Sequence, residues 1–151
     1  MENELEDLGM RLFHLMGALR RYFARNLISH DLTFPQFMAL CSLEHAEGKA
    51  SRMGDLATAT HQSAASMTGV VDRLLEQALV ERRLDPADRR SVLVALTDEG
   101  ARLLERVRAD RIQAMEQLLR SLSAEERALL YDILGKLLSE LSGETTPVGQ
   151  L

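Results

Sequence analysis

The spacing of apolar residues along this chain changes period at one place. From Leu5 to Leu75 they recur at steps of three and four. Between Val80 and Leu96 short Val- and Leu-rich runs take over, with Val92, Val94 and Leu96 alternating, and after Thr97 the helical spacing returns. A helix buries a stripe of period 3.6 and a strand a face of period 2. The chain is therefore expected to be mainly α, with a two-stranded hairpin set into a run of helices. A sandwich, a barrel or an alternating α/β sheet would need many more strands. Composition agrees: 4% of the 151 residues are aromatic and Trp is absent, so Leu, Val, Met and Ala must build the core, which favours helices.

The helical segments can be read in order. Leu5, Leu8, Leu12, Leu15, Leu19 and Tyr22 mark one face of a long first helix, about residues 3–30. Thr33-Phe34-Pro35-Gln36 is a capping box that opens a second helix, with Pro tolerated in the first turn. Glu47-Gly48-Lys49 ends it. A third, short helix is expected from Ser51, and Ser63 caps a fourth with Met67, Val70, Val71 and Leu74 inward. Two short helices joined by a tight turn have helix-turn-helix geometry. The charged turn 85–90 forms the tip of the hairpin. Thr97 caps a fifth helix marked by Leu104, Val107, Met115 and Leu118, and Ser123-Ala124-Glu125-Glu126 is a second capping box before a last helix.

Three helices followed by a hairpin describe a winged helix-turn-helix domain at 33–97. Residues 1–32 and 98–142 flank it as long helices, and 143–151 is expected to be a flexible tail. A helix presented this way enters the DNA major groove with its N-terminal residues against base edges. Gln62, Ser63, Ser66 and Thr68 have the size and polarity for that, and Arg73 and Arg52 are placed for phosphates. Arg89 and Arg90, at the hairpin tip, suit the negative potential of a neighbouring minor groove. The flanking helices carry apolar stripes that include Leu5, Leu8, Leu12 and Leu15 at one end and Leu130, Leu134 and Leu137 at the other. Burial against a second copy of the chain is the economical solution, so a homodimer reading a pseudo-palindromic double-stranded operator is expected.

These residues also carry a resemblance. Leu56-Ala57, Ser63, Met67-Thr68, Val71-Asp72-Arg73-Leu74, Leu79-Val80-Glu81-Arg82, the string Asp85-Pro86-Ala87-Asp88-Arg89-Arg90-Ser91-Val92 and Leu96-Thr97-Asp98-Glu99-Gly100 resemble the MarR family of bacterial transcription regulators over about residues 30–100. The resemblance implies a repressor responsive to an effector, often a small aromatic or phenolic molecule, and a pocket that His14, Phe37 and Cys41 are candidates to line. It further implies that Asp88 orients Arg90 for the minor groove. Two positions depart from the family habit: His61 and Ala78 stand where relatives commonly have Gly.

Other readings compete for some of these residues. Cys41, the single cysteine, is a redox sensor or a small buried filler, and its place on an apolar helix face favours the filler. His14, His30, His45 and His61 are never four apart, so no metal or other cofactor is expected. There is no Gly-rich phosphate loop, zincin helix or nucleophile elbow, so no enzyme is expected. The alternatives to a repressor are a dimeric protein-interaction module that has lost DNA affinity and a redox- or metal-responsive regulator. No apolar run would span a membrane and the start is acidic, so a cytoplasmic protein is expected. The net charge of −5 argues against a generally basic nucleic-acid binder, yet residues 61–97 balance five acids with five arginines. Phosphates feel charge within a Debye length of about 8 Å, so local placement of arginine outweighs the total.

Overall fold

The structure is a computed structural model that describes residues 2–142. The expected tail at 143–151 lies outside the described residues. In chain order the elements are α1 (Glu2–Ile28), α2 (Phe34–His45), a single 3-10 turn (Glu47–Lys49), β1 (Ala50–Arg52), α3 (Met53–Ala59), α4 (Ala64–Glu76), β2 (Val80–Leu84), β3 (Val92–Leu96), α5 (Asp98–Leu118) and α6 (Ala124–Ser142). The chain divides into two compact units, Met1–Arg111 and Ile112–Leu151.

The sheet adds one strand to the expected two-stranded wing. It has three strands in the order β1-β3-β2, with Ala50, Ser51 and Arg52 antiparallel to Ala95, Val94 and Leu93. Ser51 is thus in a strand, and α3 starts two residues later, at Met53. Three residues are too few to display a period of two, and Ala-Ser-Arg has no β-branched or aromatic side chain to announce a strand. The wing hairpin runs from Val80 to Leu84 and from Val92 to Leu96, with Val80 opposite Leu96 and Leu84 opposite Val92.

The core of the first unit is formed where α2, α3 and α4 meet. Leu40, Leu43, Leu56, Met67, Val71 and Leu74 are fully buried, and Val94, Ala95 and Leu96 of β3 close one side. The segment 33–97 does not complete this core alone. Leu27 in the last turn of α1, Leu32 just beyond its cap, and Leu103, Leu104 and Val107 on α5 are buried in the same cluster. Each such side chain contributes about 1.5–3 kcal/mol relative to exposure. Two polar ties join the same elements. His30 Nε2 lies 2.7 Å from Asp110 Oδ2, and Arg108 donates to Glu44 at 2.8 Å.

The capping pattern is the one the sequence announces. Thr33 accepts the Gln36 N–H while the Gln36 side chain accepts the Thr33 N–H. Ser123 and Glu126 exchange the same pair of bonds before α6. The C-termini are more unusual. At α1, α3 and α4 the chain turns through Asp31, His61 and Ala78, with φ of 55, 54 and 56°. In each case the following N–H reaches back to the last turn: Leu32 to Leu27, Gln62 to Ala57 and Leu79 to Leu74, all at 2.9–3.0 Å. These are Schellman caps, a helix ending that Gly usually supplies. A Cβ in the left-handed region costs about 1–2 kcal/mol, partly offset by the lower unfolded-state entropy of a non-Gly residue. Ala78 has no side-chain hydrogen bond to compensate. Ala78→Gly is therefore expected to raise stability by about 0.5–1 kcal/mol, or about 1–4 °C in Tm; differential scanning calorimetry checks this, and an unchanged or lower Tm contradicts it.

Candidate nucleic-acid interface

Helix α4 offers one apolar and one open face. Met67, Val71 and Leu74 point into the core, which turns Ala64, Ala65, Ser66, Thr68, Gly69, Asp72 and Arg73 to solvent. Ser63 holds the N-terminus by accepting the Ser66 N–H at 3.1 Å. Its polar side chains are already ordered: the Ser66 hydroxyl donates to Gln62 Oε1 at 2.8 Å, and the Thr68 hydroxyl donates to the Ala64 carbonyl at 2.9 Å. Gln62 keeps its amide N–H groups and Thr68 its oxygen for another partner. A Cβ at Gly69 would meet nothing within 4 Å, so this stretch of the helix surface is clear for a close approach.

The wing tip is a closed, hydrogen-bonded loop. Asp85 N–H donates to Ser91 O, Asp88 N–H to Asp85 O and Ser91 N–H to Asp88 O, at 2.9–3.2 Å. Two carboxylates tighten it further: Asp85 Oδ1 accepts from Ala87 N–H at 2.9 Å and Asp88 Oδ1 from Arg90 N–H at 3.0 Å. Arg89 and Arg90 are exposed at this tip, and among the described residues neither guanidinium is in an ion pair. Asp88 thus meets Arg90 at its main-chain N–H. An Asx turn brings the carboxylate onto the amide two residues on, and that bond is made locally with little ordering cost.

Arg52 is engaged within the chain. Its guanidinium donates to Asp85 Oδ2 at 2.9 Å, so in the free protein it is paired within the chain. Asp85 is the residue that reasoning from sequence missed. Its signal was the Asp-Pro step, a turn initiator, which the neighbouring arginines overshadowed. The bond from Arg52, helped by the Ala87 and Asp88 N–H groups, holds the Asp85 carboxyl below the usual carboxylate range. A carboxyl with a lowered folded-state pKa stabilises the fold above its unfolded pKa, about 4, and loses that contribution as pH falls through the lowered value. The Tm difference between wild type and Asp85→Asn is therefore expected to be constant from pH 7 to about 5 and to shrink in more acid solution; a difference that grows on acidification contradicts the pairing.

A family model described as "MarR family" matches residues 30–91. The HTH-type transcriptional repressor NicR of Pseudomonas putida is 34% identical over 143 residues, which span 91% of this chain and 89% of NicR. The chain belongs to the MarR family. It is a DNA-binding transcription regulator with the winged-helix fold. The multiple antibiotic resistance protein MarR of Salmonella typhimurium is 34% identical over 138 residues, 90% of this chain and 94% of that protein. Among solved structures, a MarR family protein from Bacillus stearothermophilus superposes with a TM-score of 0.80 at 27% identity, covering 94% of this chain and 98% of the other. A mutant MarR from E. coli complexed with operator DNA matches with a TM-score of 0.65 at 33% identity, covering 90% and 96%.

The remaining candidates of this MarR-family chain are spread over several places. Leu5, Leu8, Leu12 and Leu15 on α1 are 42–68% exposed, and Leu134 and Leu137 on α6 are 48 and 43% exposed. Leu130 is half-buried. His14 is exposed on α1 beside Phe13, with no bond to Phe37 or Cys41 among the described residues. Phe37 is buried, and the Arg111 guanidinium lies 5.5 Å from its ring centroid. Burial, with Glu44 adding to it, pushes the Cys41 thiol up to about 11 against the opposite pull of Arg111 and Arg108. A thiol that stays protonated at neutral pH is a poor nucleophile, which suits a packing role. The histidines are dispersed: His30 meets Asp110, His45 meets the Cys41 carbonyl and His61 forms a Schellman turn. No helix among the described residues is long and apolar enough to cross a membrane.

Proposed function

We propose that this MarR-family chain is a cytoplasmic repressor that binds a pseudo-palindromic operator as a two-fold dimer. Helix α4 enters the major groove and reads it with Gln62, Ser63, Ser66 and Thr68. Arg73 anchors on phosphate, and the wing places Arg89 and Arg90 in the flanking minor groove. The observation that carries this reading is the hydrogen-bonded wing tip, with two arginines outside any ion pair among the described residues, beside an uncluttered, ordered α4 face. The apolar stripes of α1 and α6 supply the dimer surface, since a soluble monomer rarely exposes contiguous apolar area beyond a few hundred Å². A small aromatic or phenolic effector would act by favouring a dimer geometry in which the two α4 helices no longer match their half-sites. No catalytic role is proposed.

The test is binding to a duplex that the wild-type protein selects from a random-sequence pool, titrated over a range of salt. Affinity should fall steeply with salt. Arg90→Ala should lose about tenfold or more in affinity and reduce the salt slope by about one. If the wild type selects no sequence and shows no salt-dependent binding, the winged fold is serving as a protein-interaction module and the repressor reading fails.

A further inference from the structure

The pair Arg52–Asp85 joins the two parts of the molecule that face DNA. Arg52 ends β1 and stands at the N-cap of α3, the first helix of the helix-turn-helix. Asp85 follows β2 on the opposite edge of the sheet. Arg52 is opposite Leu93 and Leu93 opposite Arg83, so the residue two beyond Arg83 projects from the same face. The guanidinium therefore reaches across β3 to its partner. Asp85 is 8% exposed, and its main chain and carboxylate together make the bonds to Ser91, Ala87 and Asp88 that shape the tip. Arg89 and Arg90 stand on that tip, and α3 packs directly on α4.

We propose that Arg52 is a positioning residue for DNA binding: through Asp85 it fixes the pitch of the wing relative to the recognition helix, so that Arg89 and Arg90 meet the minor groove while α4 is seated in the major groove. This rests on the DNA-binding mode proposed above. It differs from the expectation that Arg52 contacts phosphate, and the two accounts predict opposite signs for one variant. Asp85→Asn keeps an oxygen for the Ala87 N–H but removes a negative charge and releases Arg52. If Arg52 acts by attraction to phosphate, that change should tighten binding. If it acts as a brace, binding should weaken.

The experiment uses the full-length chain and the duplex selected by wild type. Arg52→Ala and Asp85→Asn are each expected to weaken binding about tenfold with the salt slope unchanged, and Arg52→Lys should recover part of the loss. Amide hydrogen exchange without DNA supplies a second readout. Exchange at Ala87, Asp88 and Arg90 should speed up about tenfold in Arg52→Ala, while that at Leu40 and Leu74 in the core stays as in wild type. Tighter or unchanged binding by Asp85→Asn, or a slope lower by about one in Arg52→Ala, overturns the proposal. Unchanged exchange at the tip overturns the brace itself. Failure of wild type to select DNA, with exchange at the tip still accelerated in Arg52→Ala, would leave the brace standing and remove its role in DNA binding.

Discussion

Gly100→Ala is expected to lose about 3 kcal/mol or more of stability, although the change adds one methyl group in a helix. Alanine ordinarily favours a helix over glycine by about 1 kcal/mol, so the expected sign is against intrinsic preference. The reason is the fit of α5 against the wing. A Cβ at position 100 would come within 2.2 Å of the Leu79 carbonyl oxygen and 2.7 Å of Leu96 Cδ1. The first contact is with main chain, and that carbonyl is already fixed by accepting the Thr97 N–H at 3.1 Å. Leu79 is held in turn by the Schellman cap of α4. Relief would require the start of α5 to lift from the sheet, which would expose Leu103, Leu104 and Val107. Urea unfolding monitored by circular dichroism measures the loss. A Gly100→Ala protein as stable as wild type contradicts the packing described.

The second large effect is expected at the dimer surface. Leu134→Asp should leave the fold of a single chain nearly unchanged, because Leu134 is 48% exposed on α6. In a two-fold interface the same substitution occurs on both sides. Desolvating a carboxylate against apolar neighbours at two positions, at about 3 kcal/mol each, weakens dimerisation by about 10⁴-fold. Sedimentation should show wild type near twice 16.9 kDa and the variant as a monomer at micromolar concentration. Operator affinity should fall with it, since one winged domain reads only one half-site. A variant that remains dimeric places the interface elsewhere, and a monomeric wild type removes the argument from the exposed stripes.

Much of this protein is legible in the local patterns of its sequence. The capping boxes at Thr33–Gln36 and Ser123–Glu126 are bonds among residues close along the chain, and they form as written. The inner face of α4, and the hairpin with its turn at 85–91, follow from periodicity in the same way. The departures His61 and Ala78 are plain in the sequence as residues, and the positive φ at both shows that the backbone keeps the turn a glycine would make.

Features that depend on distant partners are hidden from such patterns. β1 is a strand because β3 is beside it, and its own three residues say little. Arg52 reads as an exposed cation because its partner is 33 residues away. Leu103, Leu104 and Val107 lie on a helix that reads as part of the dimer surface, yet they complete the core of the winged domain. The helices, their caps, the wing and the family were determined by the sequence itself, since each rests on periodicity or on bonds within a few residues. The pairing of Arg52 with Asp85, the closing of the core by α1 and α5 and the necessity of glycine at 100 were decided only by tertiary structure. Each depends on which remote atoms share a space of a few ångströms, and the order of residues along the chain does not display that distance.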